Sequence, residues 1–314
     1  MFESRLSTES ALRGAALTES PPFNVVAILT CHNRVNLSTS CLVSLATSFN
    51  RATIDFPGMK LSVVAVDDGS TDGTSNALIG VWPEATIVQA NGSLYWAGGM
   101  ALAERIAIRD HPSLTHLLWL NDDTLLLPDS VCNLLKLSVQ LPDSIIVGSI
   151  ADYDSGEVIY SGIRCSRWHP GHNRKVSPNG APQKVDTMNG NAVLVPVSVV
   201  AALGGIDGQY GHAAADFDYG RRASALGYET WLIGEVCGLG KRDQPKRPAS
   251  ILGRWRDLTS IKGAPPGKNL RYVKRHAGVL WPIFAVSPYM MFVIKELRFA
   301  LDDLCHRARR RLTK

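Results

Sequence analysis

Apolar runs that each stop at a polar cluster set the rhythm of the first half of the chain. They fall at Phe23 to Thr30, Leu61 to Val66, Ala85 to Gln89 and Thr115 to Leu120. Short continuous runs of this kind, rich in Val, Ile and Leu, predict strands buried on both faces. Helical patterns lie between them, from Leu37 to Phe49, from Thr74 through Leu78, and from Met100 to Arg109. Strands and helices alternating at this pitch predict an α/β fold with a mainly parallel, doubly wound sheet flanked by helices. Farther along, Ile145 to Gly148, Val158 to Tyr160 and Ala192 to Val195 read as strands. Arg164 to Gln183 reads as a loop rich in Pro, Gly and Asn, and Asp216 to Leu226 as a helix. A last helix, Lys268 to His276, leads into an apolar stretch beginning at Ala277.

The polar clusters fall where such a sheet binds its ligand, outside the carboxyl ends of its strands. One rim would gather Thr30, Asp67, Asp68, Asp122 and Asp123. In Trp119-Leu120-Asn121-Asp122-Asp123 a strand ends at two adjacent carboxylates, hard ligands suited to Mg²⁺ or Mn²⁺. Those ions usually complete their shells with substrate phosphates, so a nucleotide-linked substrate is expected. The plainer alternative is an Asn-Asp-Asp turn closed by local hydrogen bonds. Likewise, Asp67-Asp68-Gly69 reads either as ligand contacts or as a tight turn, with Asp72-Gly73-Thr74 as a helix cap. Gly98-Gly99 lacks the spacing of a dinucleotide-binding loop, which disfavours a hydride-transfer enzyme. Asp216 begins its helix, where the backbone dipole favours a carboxylate.

Charge alters the picture at the C-terminal end. The net charge of +5 hides an asymmetry, because residues 236–314 hold 18 Lys and Arg against 5 Asp and Glu. The tail therefore carries thirteen positive charges and the remainder eight negative ones, which calls for an anionic partner. Within the tail, Ala277 to Ile294 is uncharged and contains Trp281 and Tyr289, which favours a membrane surface over nucleic acid. Pro282 and Pro288 argue against a clean helical span. Three placements stay open: lying on the membrane, crossing it, or packing as a core helix pair. Arg307, Arg309, Arg310, Arg311 and Lys314 would meet anionic headgroups. The six cysteines show no metal or disulfide spacing, which fits reduced thiols. Residues 1–22 lack a signal-like apolar core and read as a flexible extension.

Taken together, Thr30-Cys31-His32-Asn33-Arg34, Val66 to Asp72, Trp119 to Asp123 and Gly211 to Arg222 resemble the family-two inverting glycosyltransferases of the GT-A fold. The segments Leu94 to Met100 and Asp216 to Gly220 are similar to the bacterial rhamnosyltransferase and galactofuranosyltransferase branch. The resemblance covers about residues 23–235, leaving 236–314 as a basic and apolar, membrane-associating helical appendage. It implies that Thr30 and Arg34 line the nucleotide pocket, that Asp68 reads a pyrimidine base and that Asp67 helps position it. It implies also that Asp122 lies near ribose and diphosphate, that Asp123 binds a divalent metal and that Asp216 is the catalytic base.

Two departures stand out. Ala215 takes the place where many relatives carry Glu, so a second carboxylate would have to be Asp218. No His follows the last predicted strand, so Lys241 or Arg242 would neutralise phosphate instead. His212 and Trp96 are further candidates at the acceptor side, His212 with a purely structural role as the alternative. The expected enzyme moves a sugar from a dTDP- or UDP-linked donor to a lipid-linked or glycan acceptor, on the cytoplasmic face of the membrane. An inactive binding protein of the same fold is the alternative, and a nucleotidyltransferase is disfavoured because no Gly- and Lys/Arg-rich loop follows the first strand.

Overall fold

The structure, a computed structural model, describes residues 23–166, 173–212, 214–242 and 248–312, with backbone alone from 303 onward. The extension 1–22, the middle of the loop expected at 164–183, and the terminal Arg and Lys side chains lie outside these residues.

Strands β1 (Asn24–Cys31), β2 (Lys60–Asp67), β3 (Thr86–Gln89) and β4 (His116–Leu120) form the parallel half of a ten-stranded sheet, in the order β3-β2-β1-β4. Helices α1 (Val35–Asp55), α2 (Thr74–Val81) and α3 (Tyr95–Asp110) connect them. The continuous apolar runs work because both faces of the sheet are covered. On β1, Val25, Ala27 and Leu29 pack with Cys41, Leu42 and Leu45 of α1, whereas Val26 and Ile28 pack with Ala97 and Met100 of α3. Alternate residues of one strand thus supply two separate cores.

The second half is less regular. After β5 (Leu125–Leu126) and α4 (Ser130–Gln140) come β6 (Ile145–Asp152) and β7 (Val158–Tyr160). Next come β8 (Gly162–Cys165), β9 (Asn173–Lys175), β10 (Gln183–Val185) and β11 (Thr187–Met188), of which β9 lies within the stretch 164–183 expected to be loop and β8 and β10 overlap its ends. β11, β8 and β9 form a small second sheet, and β10 joins the edge of the large one. β12 (Ala192–Pro196) then inserts between β4 and β6, antiparallel to both, and leads into α5 (Val197–Leu203). Running against its neighbours, β12 starts at the rim where β4 ends, so Asn191 O accepts from Asn121 N at 3.1 Å. α6 (Ala215–Ala225) and β13 (Thr230–Gly240) complete the sheet, β13 pairing parallel with β6.

Helix α3 starts five residues earlier than the sequence pattern predicts and contains Gly98 and Gly99. Gly99 is required there by close packing on β1, because a Cβ at that position would sit 2.2 Å from Thr30 Oγ1. Beyond the sheet lie α7 (Ile251–Thr259), α8 (Pro266–His276) and the long α9 (Trp281–Leu312). Pro282 sits in the first turn of α9, where its missing N–H costs nothing, and Pro288 is carried inside the helix. One face of α9 rests on α7 and α8, through the Trp255 contact with Phe292 at 5.3 Å and the Tyr289 hydroxyl donating to Ala264 O at 2.8 Å. The stretch Gly278–Asp302 is long and apolar enough to cross a membrane, with mean hydropathy 1.5, and none of its apolar window is buried. Among the described residues it is therefore not enclosed as a core helix, and only its one face toward α7 and α8 is packed.

Candidate functional site

The carboxyl ends of β1, β2 and β4 meet at one rim, with Cys31 in register with Asp67. Arg34, just past β1, lays one guanidinium nitrogen between two carboxylates, 3.1 Å from Asp122 Oδ1 and 2.9 Å from Asp123 Oδ2. Ser38 donates to the other oxygen of Asp122 at 3.2 Å. Burial lifts Asp122 to about 6, against the pull of Arg34, and the neighbouring Asp123 adds to the lift. The two carboxylates raise Arg34 further above its ordinary value despite its partial burial. Asp122 is buried and Asp123 remains accessible.

Among the described residues there is no cluster of three or more His, Cys, Asp or Glu. Two carboxylates nevertheless fit Mg²⁺ or Mn²⁺, which take the rest of their shell from phosphate and water. The donor set is hard oxygen, and Asp122 is destabilised enough in its charged form to gain from a cation. In the structure Arg34 supplies that positive charge.

The second aspartate pair is turned to local architecture. Asp67 accepts from Ser70 N at 2.8 Å and from the Ser75 hydroxyl. Asp68 accepts from the backbone N–H groups of Gly92 at 2.9 Å, Leu94 at 3.2 Å and Tyr95 at 2.8 Å. It thereby satisfies donors at the start of α3, which is why that helix begins so early. The tight-turn reading of Asp67-Asp68 and the cap reading of Asp72, which accepts from Thr74 N at 3.1 Å, both describe contacts present here.

The acceptor side is joined to this rim by a chain of contacts. The Trp96 indole N–H donates to Asn121 Oδ1 at 2.7 Å, beside Asp122. Trp96 lies so close to Gly190 that a Cβ there would stand 2.5 Å from its ring. Gly190 N in turn donates to Asp216 Oδ2 at 3.2 Å, and Phe217 N donates to Oδ1 at 2.8 Å. Half-buried at the first turn of α6, Asp216 is lifted to about 6 by desolvation, against hydrogen bonds from Phe217, Gly190 and the Asn189 side chain. Beneath it, Trp119 stacks edge-on against Tyr219 at 4.7 Å and near Trp96 at 6.2 Å. Among the described residues, three of the four non-glycine positions with positive φ border this site: Asn33 (50°), Tyr95 (55°) and Ala214 (77°). Such backbone clusters at working sites.

Residues 26–195 match the protein family described as Glycosyl transferase family 2. The chain belongs to that family. The fold agrees with those of solved glycosyltransferases. GalNAc-T7, crystallised with UDP, GalNAc and Mn²⁺, superposes with a TM-score of 0.54 at 11% identity, over 90% of this chain and 58% of that one. S. aureus TarS 1-349 superposes with a TM-score of 0.50 at 12% identity, over 82% of this chain and 73% of that one. The chain thus spans little more than half the length of the GalNAc-T7 structure. No curated protein sequence matches it.

Within this family-two frame, not every expected residue converges. Asp218, offered as a second carboxylate, is fully buried and faces away from Asp216 into a ring of donors. Lys241, offered as a phosphate partner, pairs instead with Asp154 at 2.9 Å. His212 is held below its ordinary value by desolvation, to which the charges of Lys262, Arg34 and Lys268 add. Those lysines come from the C-terminal segment, which the sequence points only toward a membrane. The high lysine and arginine content of that segment is the only signal of them in the sequence.

Proposed function

We propose that the chain is an inverting glycosyltransferase that moves a sugar from a UDP- or dTDP-linked donor to a hydroxyl of a lipid-linked or polysaccharide acceptor. The observation that carries this reading is the contact chain from Asp122 through Asn121, Trp96 and Gly190 to Asp216. It links a diphosphate-suited rim to a half-buried carboxylate that can take a proton. Asp216, with a value near 6, is ionised at neutral pH and basic enough to accept the proton of an attacking hydroxyl. Asp123, with Asp122 behind it, would hold Mg²⁺ or Mn²⁺. The ion would supply charge neutralisation for the departing nucleoside diphosphate. Arg34, released from the two aspartates, would turn its guanidinium to phosphate oxygens. Thr30, packed against Gly99, and Asp67 and Asp68, which fix the turns of the rim, would shape the nucleotide pocket. Trp96 and His212 would border the acceptor.

The test is thermal stabilisation by UDP, UDP-glucose, UDP-galactose, dTDP-rhamnose, GDP and NAD, each with and without Mn²⁺. A metal-dependent rise with a uridine or thymidine compound, reduced in Asp123→Ala, is expected. No rise with any nucleotide would transfer weight to a binding protein without turnover, for which Ala215 speaks.

α9 supports a location at the membrane. Ile283, Val286, Met290, Val293, Leu297 and Leu301 recur every three or four residues along it, and all are at least half exposed. Lys274, stacked 5.0 Å over the Trp281 ring, marks the basic end of this stripe. Apolar stripe, aromatic and flanking cations together suit the cytoplasmic face of an anionic membrane. Replacing Val286, Met290 and Val293 by Glu should weaken binding to phosphatidylglycerol vesicles at least about tenfold. Unchanged sedimentation, with a loss of self-association instead, would assign the stripe to a second copy of the chain.

A further inference from the structure

Asp218 is the most heavily engaged side chain, among the described residues, that the proposed reaction does not use. It is wholly buried. The Tyr210 hydroxyl donates to Oδ1 at 3.0 Å, and Arg222 Nε to Oδ2 at 2.8 Å. From α8, Arg275 Nη1 reaches both oxygens at 2.7 and 2.9 Å, and His276 Nε2 donates to Oδ1 at 2.8 Å. Arg222 is itself fixed, donating to Leu203 O and Gly205 O at 2.8 Å each. Arg221 adds a bond to His276 O at 3.3 Å. A buried carboxylate is tolerable only with such a ring of donors, and half of this ring comes from residues more than fifty positions away.

Asp218 shares the first turn of α6 with Asp216. The segment entering that turn holds left-handed Ala214 in its N-cap and cannot keep this shape unaided. Three contacts hold it, two of them from outside the segment. The Tyr210 hydroxyl is tied to Asp218, Ala97 N donates to Gly211 O at 2.6 Å, and Ile261 lies on Gly211, where a Cβ would be 2.6 Å from its Cδ1. The turn carrying Ile261 is fixed by Lys268, whose ammonium donates to Ile261 O at 3.2 Å and Gly263 O at 2.6 Å. Two of the supports for Asp216 therefore depend on α8 or the turn before it.

We infer that the C-terminal segment belongs to the catalytic unit, with Arg275 and His276 acting through Asp218 as positioning residues for the Asp216 carboxylate. The inference rests on Asp216 being the base proposed above. α8 continues directly into the apolar α9, so one stretch of chain both meets the membrane and aligns the base. Displacing a reacting group by about 1 Å costs roughly a hundredfold in rate. Losing one donor of the ring should therefore cost rate before it costs the fold.

The experiment uses the full chain as wild type, Arg275→Gln, Arg275→Lys and Asp216→Asn. Arg275 is one-third exposed, and Asp218 keeps Arg222 and His276 in the Gln variant. Hydrogen exchange is followed in peptides covering 210–218 and 266–276. Turnover is read with whichever of UDP-glucose, UDP-galactose or dTDP-rhamnose stabilises the wild type most. Arg275→Gln should speed exchange in 210–218 about tenfold and lower kcat about tenfold or more, with donor affinity unchanged and Arg275→Lys restoring both. Exchange that rises only in 266–276, or not at all, overturns the inference, whether or not a turnover substrate is found. Normal turnover by Asp216→Asn would instead remove the base assignment, and with it the catalytic role of the clamp.

Discussion

Asp216→Asn lowers transfer by about 10²–10⁴-fold while donor-induced stabilisation stays at the wild-type level. The amide keeps the size but only one of the two acceptor contacts, because its NH₂ cannot accept from Gly190 N or Phe217 N, and it cannot take the proton of the attacking hydroxyl. Burial lifts Asp216 to about 6, above its value in an unfolded chain. Its ionised form therefore costs the folded state on the order of 2–3 kcal/mol above pH 6, a cost that fades as pH falls toward 4. Wild-type turnover should accordingly rise with pH through about 6 and then level off. A pH–rate profile flat between 5 and 7, or Asp216→Asn turnover at the wild-type level, would remove the residue from the mechanism.

Asp218→Ala is the variant with the largest expected loss of stability. It strands Arg222, Arg275 and His276 around a buried void, and breaking such a network costs about 3–5 kcal/mol. Burial alone would raise this carboxyl, but the bonds from His276, Arg275 and Arg222 outweigh it and hold the group well below the usual carboxylate range. The stabilisation is therefore complete above the unfolded value near pH 4 and is lost only as pH falls below it. Chemical denaturation at pH 7 measures the effect. A midpoint within error of wild type would show that the ring contributes nothing. Asp218→Asn, which keeps the volume, should lie between the two.

These two residues also mark how far the sequence can be read. The sheet is legible because continuous apolar runs with helices between them admit few arrangements, and Asp122-Asp123 stands out as charge at the end of a buried strand. Asp216 is visible by its place at a helix start. Asp218 reads wrongly as an auxiliary at the site, because its partners Arg275 and His276 are separated from it by β13, α7 and a turn, and no local pattern joins them. The antiparallel course of β12 is equally hidden, since a five-residue apolar run carries no direction. The early start of α3 is illegible because it depends on Asp68, twenty-seven residues before Tyr95, accepting the helix's first N–H groups.

β12 is also where the family match and the proposed base part company. The family match ends at Val195, inside that strand, whereas α6 and the helices that clamp it lie beyond. One hydrophobic core nevertheless runs across that strand, joining Ala97 and Met100 to Tyr210, Tyr219 and Leu232. Two chains alike through residue 195 need not have kept the same acceptor.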